Sequence, residues 1–146
     1  MKSSKKISRV QLSVNENDET VFLGLVCSDP DYKLSLKINK KLKISLKSES
    51  SVEVGEAGGK GLFFSRFSDN TAIPDSVFHL FSNRSGSDFL VKKLKNIDYL
   101  FEIYDPVSNF DLTKIISQLR EIDTITAVFT IEMKNLKDKN RKYLFL

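Results

Sequence analysis

Residues 97–131 read IDYLFEIYDPVSNFDLTKIISQLREIDTITAVFTI, and they carry the clearest secondary-structure patterns in the chain. Apolar and aromatic residues alternate over 97–104, which predicts a strand. Apolar residues then recur at helical spacing over 112–122, which predicts an amphipathic helix. Alternation returns over 125–131 and predicts a second strand.

Shorter patterns precede this stretch. Residues 62–67 and 77–81 are rich in Phe and predict two strands, and alternation over 7–14 predicts a first strand. Residues 21–26 are apolar but too few for periodicity to separate a strand from a buried helix. The Ser-, Glu- and Gly-rich residues 48–61 predict a flexible loop.

Residues 30–46 carry two conflicting patterns. Every second residue from Tyr32 to Leu46 is apolar, with one interruption at Lys40, which favours a strand. Pro30 and Asp31, however, suit the start of a helix, and apolar residues also recur at a spacing of four. We predict a helix over 30–42 followed by a strand over 43–47.

Together these elements predict an α+β fold in a single domain over residues 1–146. It has a mainly antiparallel β-sheet of about five strands, with two or three helices packed on one face. The chain has 146 residues, 40% of them hydrophobic, which is enough for one domain with its own core. Residues 1–6 and 134–146 are expected to be flexible tails, although the apolar end, residues 142–146, can dock on the core or on a partner.

Composition argues against several kinds of chemistry. The chain has one Cys, Cys27, and one His, His79, so it has no internal disulfide and no multi-Cys metal site. We predict no catalytic, cofactor-binding or metal-binding residue. Two alternatives stay open: a Cys27–His79 pair, and acid–base work by Asp98 and Glu102 in a buried cleft. No apolar run has the ~18–20 residues of a membrane helix, so we expect no membrane partner.

Charge is unevenly distributed along the chain. The 23 Lys and Arg residues exceed the 19 Asp and Glu residues, which gives a net charge of +4. An acidic stretch over 16–31 contains no basic residue, so it can face a basic block in the fold. Alternatively, the basic blocks form one surface for phosphate or for an acidic partner. The candidate binding lysines are Lys33, Lys37, Lys40, Lys41, Lys92, Lys93 and Lys95.

Residues 91–99, VKKLKNIDY, resemble the signature of the IPExxxVDY family, small bacterial proteins of undetermined function. Val91 and Ile97 stand at the first Ile and the Val of that signature. Asp98-Tyr99 matches its closing Asp-Tyr. Lys92-Lys93 replaces its Pro-Glu, which argues against shared chemistry at those two positions.

Further similarity to this family extends over about 21–131, in Phe22-Leu23-Gly24-Leu25, Asp31-Tyr32-Lys33-Leu34 and Phe81-Ser82-Asn83. The resemblance implies a bacterial cytoplasmic protein and favours the helix over 30–42. The resemblance identifies no residue of this chain as catalytic.

Asp98, Tyr99 and Asn83 are the candidate motif residues. We expect Asp98 to accept N–H bonds from the turn at Lys95-Asn96, and Tyr99 to bury its ring while its hydroxyl binds a polar partner. The predicted function is a non-catalytic cytoplasmic binding or adaptor domain that acts through a protein partner. The alternative is an RNA- or ribosome-associated basic protein.

Overall fold

The structure, a computed structural model, describes residues 20–55, 61–71 and 76–145. Its strands are β1 (Thr20–Cys27), β2 (Lys47–Val54), β3 (Leu62–Asp69), β4 (Val77–Ser82), β5 (Arg84–Ser85), β6 (Asp88–Phe89), β7 (Tyr99–Tyr104) and β8 (Ile125–Ile131). Its helices are α1 (Asp31–Leu42), α2 (Leu112–Arg120) and two 3-10 helices, Met133–Asn135 and Lys139–Phe145. The strand predicted over 7–14 lies outside the described residues.

Six strands form one antiparallel sheet in the order β2-β3-β4-β7-β1-β8, and β5 and β6 form a separate small hairpin. The strand β1 lies between β7 and β8, so β2 and β8 are the two edge strands of the sheet among the described residues. The predicted α+β class with a mainly antiparallel sheet is confirmed, with six strands in the main sheet. No helix in the described part of the chain is long and apolar enough to cross a bilayer.

Both α-helices pack on one face of this sheet, called the helix face below. Leu34 and Ile38 of α1 and Leu119 of α2 are fully buried there. The strands contribute alternate residues to the same cluster, for example Phe78 and Phe101, whose rings stack at 5.7 Å. The helices therefore cover one face, as the apolar spacing predicts.

The opposite face is covered by the C-terminal 3-10 helix and by the connection between β6 and β7. Leu144, which is 1% exposed, belongs to a second buried cluster with strand residues such as Phe22 and Leu100. Ile97 packs over Gly24, where a Cβ atom would lie 2.8 Å from the Ile97 Cδ1 atom. The C-terminal residues thus dock on the core of this chain.

The conflict over residues 30–46 is resolved in favour of a helix over 31–42. Leu34 and Ile38 are buried, whereas Tyr32 and Leu36 are 61% and 64% exposed. The helical period of 3.6 therefore turns these two alternating residues toward solvent, while Leu34 and Ile38 face the core.

Two boundaries differ from the sequence prediction. The strand predicted over 43–47 begins only at Lys47, and β2 occupies residues 47–54, where a loop over 48–61 was predicted. Most of β2 is exposed, so its Ser and Glu residues face water, while Val52 and Val54 enter the core. Pairing with β3 outweighs the weak strand propensity of Ser and Glu.

The start of α2 agrees with the predicted spacing. The helix begins at Leu112, and the Asp111 carboxylate accepts from the N–H groups of Thr113 and Lys114 at 3.0 and 3.3 Å. Ser108 lies in the preceding turn with a φ of 55°. Asp111 therefore satisfies the first unpaired N–H groups of the helix.

Candidate functional site

Asn83 connects the candidate motif to the sheet. It is fully buried, and its Nδ2 atom donates to the carbonyl oxygens of Leu94 and Ile97 at 2.9 and 3.0 Å. Its Oδ1 atom accepts from the Val91 N–H at 2.8 Å, and its own N–H donates to the Asp98 carbonyl at 2.9 Å. Asn83 therefore holds the connection between β6 and β7 in place.

Asp98 accepts hydrogen bonds as predicted, but from different donors. Its Oδ2 atom accepts from the Cys27 N–H at 2.9 Å, and its Oδ1 atom pairs with Arg84. The prediction that N–H groups of the turn at Lys95-Asn96 donate to Asp98 is therefore wrong. Arg84, which pairs with Asp98, also donates to the Lys95 carbonyl oxygen. The end of β1 supplies the N–H group across the sheet instead.

Tyr99 behaves as expected. Its side chain is buried, and its hydroxyl donates to the Asp29 carbonyl at 2.6 Å. Burial raises the pKa of Tyr99 well above its ordinary value, with smaller contributions from the nearby Cys27 and from acids that include Asp98. The polar side-chain atoms of Asn83 and Tyr99 bind the protein's own main chain, and the Asp98 carboxylate binds main chain and Arg84. Asn83, Asp98 and Tyr99 therefore have a structural role: they hold the connection between β6 and β7 and the segment that follows β1 in place. These three residues are called the joint below.

The basic block on α1 consists of Lys33, Lys37, Lys40 and Lys41. Lys37 Nζ lies 2.8 Å from Asp29 Oδ2 and 3.4 Å from Asp123, and Lys41 lies 3.2 Å from Glu121. The hydrogen bond between Lys37 and Asp29 lowers the pKa of Asp29 and raises the pKa of Lys37. Two of the four lysines are thus paired with acids. One of these acids, Asp29, belongs to the acidic stretch over 16–31.

The second basic block, Lys92, Lys93 and Lys95, is exposed on the connection between β6 and β7. Val91 and Ile97 of this connection pack on the opposite face of the sheet, whereas α1 lies on the helix face. The two blocks therefore belong to segments that pack on opposite faces of the sheet.

A different pair of polar residues meets on the opposite face. His79 on β4 and Glu102 on β7 are direct cross-strand neighbours, with 2.8 Å between Nδ1 and Oε1. The Glu102 side chain is only 8% exposed and the His79 side chain 20%. The two atoms are close, but they lack the angle of a well-formed hydrogen bond. Because Nδ1 faces Glu102, Nε2 is the ring nitrogen that remains for another partner.

This pair lines a cleft of about 280 Å³ between the sheet and the C-terminal 3-10 helix. Glu102 is the one acid of the described lining, which contains no Lys or Arg; the lining residues are Thr20, Val77, His79, Glu102, Tyr104, Leu144 and Phe145. Asp98 does not line the cleft, so it does not act together with Glu102. The cleft combines one buried carboxylate with mainly apolar and aromatic walls.

Cys27 and His79 do not form a nucleophilic pair in this fold. Cys27 belongs to the helix-face core, whereas His79 points to the opposite face. Among the described residues no group of three or more Cys, His, Asp or Glu side chains is arranged to hold a metal ion.

The cleft as a whole was not anticipated from the sequence. The sequence patterns point to His79 and Glu102 only as unrelated residues. None of them marks the other five lining residues as part of a site: Thr20, Val77, Tyr104, Leu144 and Phe145. Alternation indicates the face on which each residue lies. It does not indicate that β4 pairs with β7, and this pairing is what brings the two side chains together.

Comparison with known proteins adds no relative. No protein-family model matches the chain, and a search of the curated proteins finds no match.

Proposed function

We propose that this chain is a non-catalytic binding domain that pairs the outer edge of β8 with an extended segment of a protein partner. The observation that carries the proposal is the chemistry of β8. Its seven residues, ITAVFTI, include no charged residue and no Pro, and most of them favour a strand.

The other edge of the sheet is protected. The strand β2 reads KSESSVEV, with Lys47, Glu49 and Glu53 along it, and its pairing with β3 is irregular between Glu49 and Val52. Charges and bulges on an edge strand discourage pairing with another chain. The contrast supports β8, not β2, as the edge that accepts a partner.

Among the described residues, no strand pairs with the outer edge of β8, Thr130 is exposed, and Phe129 is 50% exposed. An added strand gains main-chain hydrogen bonds from such an edge and reads alternate side chains for specificity. The matching partner is an extended, uncharged segment with an apolar residue facing Phe129.

The alternative, an RNA- or ribosome-associated protein, has less support. The two lysine blocks belong to segments that pack on opposite faces of the sheet, and Lys37 and Lys41 are already paired with acids. Counterion release upon phosphate binding depends on several unpaired cations on one surface.

We also propose that the chain is related to the IPExxxVDY proteins and works in a bacterial cytoplasm, as the resemblance implies. Val91, Asp98 and Tyr99 each make a defined contact in the joint around Asn83 or at the end of β1, which gives these signature positions a structural reason. The lone buried Cys27 is consistent with a reducing compartment.

The test begins with affinity purification of the tagged full chain from its own cells, in nuclease-treated and untreated halves. A protein that still co-purifies with the tagged chain after nuclease treatment is then assayed for direct binding to it. We expect Thr130→Lys on β8 to weaken this binding at least about tenfold, since an edge charge disfavours strand pairing. Ser50→Lys on the β2 edge is the matched control and should bind like the parent chain.

Equal binding by the parent chain and Thr130→Lys would refute the proposal. Loss of all partners upon nuclease treatment would favour the RNA alternative. A dimer of the parent chain in light scattering that Thr130→Lys dissociates would identify the occupant of the edge as a second copy, against the proposal.

A further inference from the structure

We infer that the cleft around Glu102 binds a small organic cation, a primary amine carried on an aromatic body. This inference does not depend on β8, because β8 contributes no lining residue to the cleft. It rests on the carboxylate of Glu102, the walls of the cleft and the size of the cleft.

The carboxylate provides the charge. Glu102 is 6% exposed, and among the described residues His79 is the only basic side chain within 4.0 Å of it. The His79–Glu102 contact lacks good hydrogen-bond angles. A buried carboxylate without well-aligned donors is costly, and an ammonium group brings three donors and a positive charge. An ammonium group is therefore chemically suited to this carboxylate.

The walls favour an aromatic body next to that amine. Val77 and Leu144 offer apolar contacts, and Tyr104 offers a ring near the carboxylate. Arg141 already lies over the Phe145 ring, at 6.0 Å from its centroid, so Phe145 contributes apolar contact rather than a second cation site. A ring that carries a short aminoalkyl chain can therefore be buried while its ammonium group reaches Glu102.

Size and charge exclude other classes of ligand. A volume of about 280 Å³ lies just below the ~300–1,000 Å³ that is usual for ligand pockets, which suits one ring with a short chain. The described lining contains no Lys or Arg to bind an anion. His79 and Glu102 alone are fewer ligands than the three protein ligands of a typical zinc site.

The single histidine makes this inference directly testable. Because the chain has one His, its imidazole signals in NMR report on the cleft without any labelling mutation. The full chain is titrated with 2-phenylethylamine, 2-phenylethanol and phenylacetate, which share a ring and differ in the polar group. We expect saturable shifts of the His79 signals with the amine, about tenfold weaker binding of the alcohol, and no saturable shift with the acid.

Two variants locate the site. Glu102→Gln keeps the shape of the side chain and removes its charge, so the amine should lose about tenfold in affinity while the alcohol is unaffected. Val77→Phe fills the cleft and should abolish binding of both. Glu53→Gln, which removes an acid from β2 outside the cleft, is the control and should bind the amine like the parent chain.

Three results would each overturn the inference: no saturable shift with the amine, equal affinity for the alcohol or the acid, or an unchanged amine affinity in a folded Glu102→Gln. Amide spectra of each variant establish that it is folded. If Glu102→Gln does not fold, the affinities of the parent chain for the amine, the alcohol and the acid still decide whether the inference holds.

Discussion

Asn83 shows how one buried amide can replace regular secondary structure. The connection between β6 and β7 has no strand or helix of its own over residues 90–98, yet Val91 and Ile97 within it are buried. Buried main-chain groups need partners, and the Asn83 side chain provides three of them. Asn83 thus provides hydrogen bonds that a neighbouring strand would otherwise provide to this connection.

Asn83→Ala should therefore be severely destabilising. It leaves the Ile97 carbonyl oxygen and the Val91 N–H group without a partner in the core and removes one of the two donors to the Leu94 carbonyl oxygen, so we expect a loss of about 3 kcal/mol in the free energy of unfolding. Urea denaturation of both chains measures it. Asn96→Ala, at an exposed position of the same connection, should change stability by less than about 0.5 kcal/mol. A similar cost for both variants would contradict the role assigned to Asn83.

At the scale of elements, α1 is joined to the sheet by polar contacts as well as by its apolar face. Asp29, just before the helix, accepts from Lys37 of α1 and from Thr124 just before β8, at 2.8 and 2.6 Å. One carboxylate thus connects the ends of two strands with the middle of α1. Its pKa is lowered because Lys37 and Thr124 hydrogen-bond to its charged form.

This contact predicts how stability depends on pH. A lowered pKa in the folded state means that the contribution of Asp29 is present above its unfolded pKa, about 3.9, and is lost as pH falls through the folded value. Stability to urea should therefore fall below about pH 4 in the parent chain, and less steeply in Asp29→Asn. Asp88→Asn, at an exposed site on β6, should keep the parent's acid dependence. A parent-like acid slope in Asp29→Asn would exclude the contact as its cause.

At the scale of the whole molecule, the sheet has a different cover on each face. The α-helices cover one face, and the other is covered by irregular chain, including the C-terminal 3-10 helix with Leu144 in the core. The cleft around Glu102 lies where this second cover meets the sheet. An irregular cover leaves such a gap more readily than a helix whose side chains interlock with the strands.

The C-terminal cover predicts a measurable cost. Leu144→Ala should lower the free energy of unfolding by about 3 kcal/mol, because it opens a cavity beside Phe22 and Leu100. Leu36→Ala, the same change at a position 64% exposed on α1, should cost less than about 1 kcal/mol. Urea denaturation compares them. Equal costs would mean that residues 139–145 do not belong to the core.

Much of the fold follows from local pattern. The strands over 62–69 and 77–82, the final helix and strand, and the helix over 31–42 were predictable because each carries its own periodicity or start signal. The strand β2 was not, since an exposed edge strand needs few apolar residues and is held by its neighbour β3.

The sequence by itself determined the fold class and the residues of the joint, because periodicity and residue type are local properties. Only the tertiary structure decided which acid lies beside His79, that the two lysine-bearing segments pack on opposite faces, and that β8 is an edge strand among the described residues. These features depend on the pairing of strands distant in sequence. That pairing is set by the packing of both faces at once, which no single segment encodes.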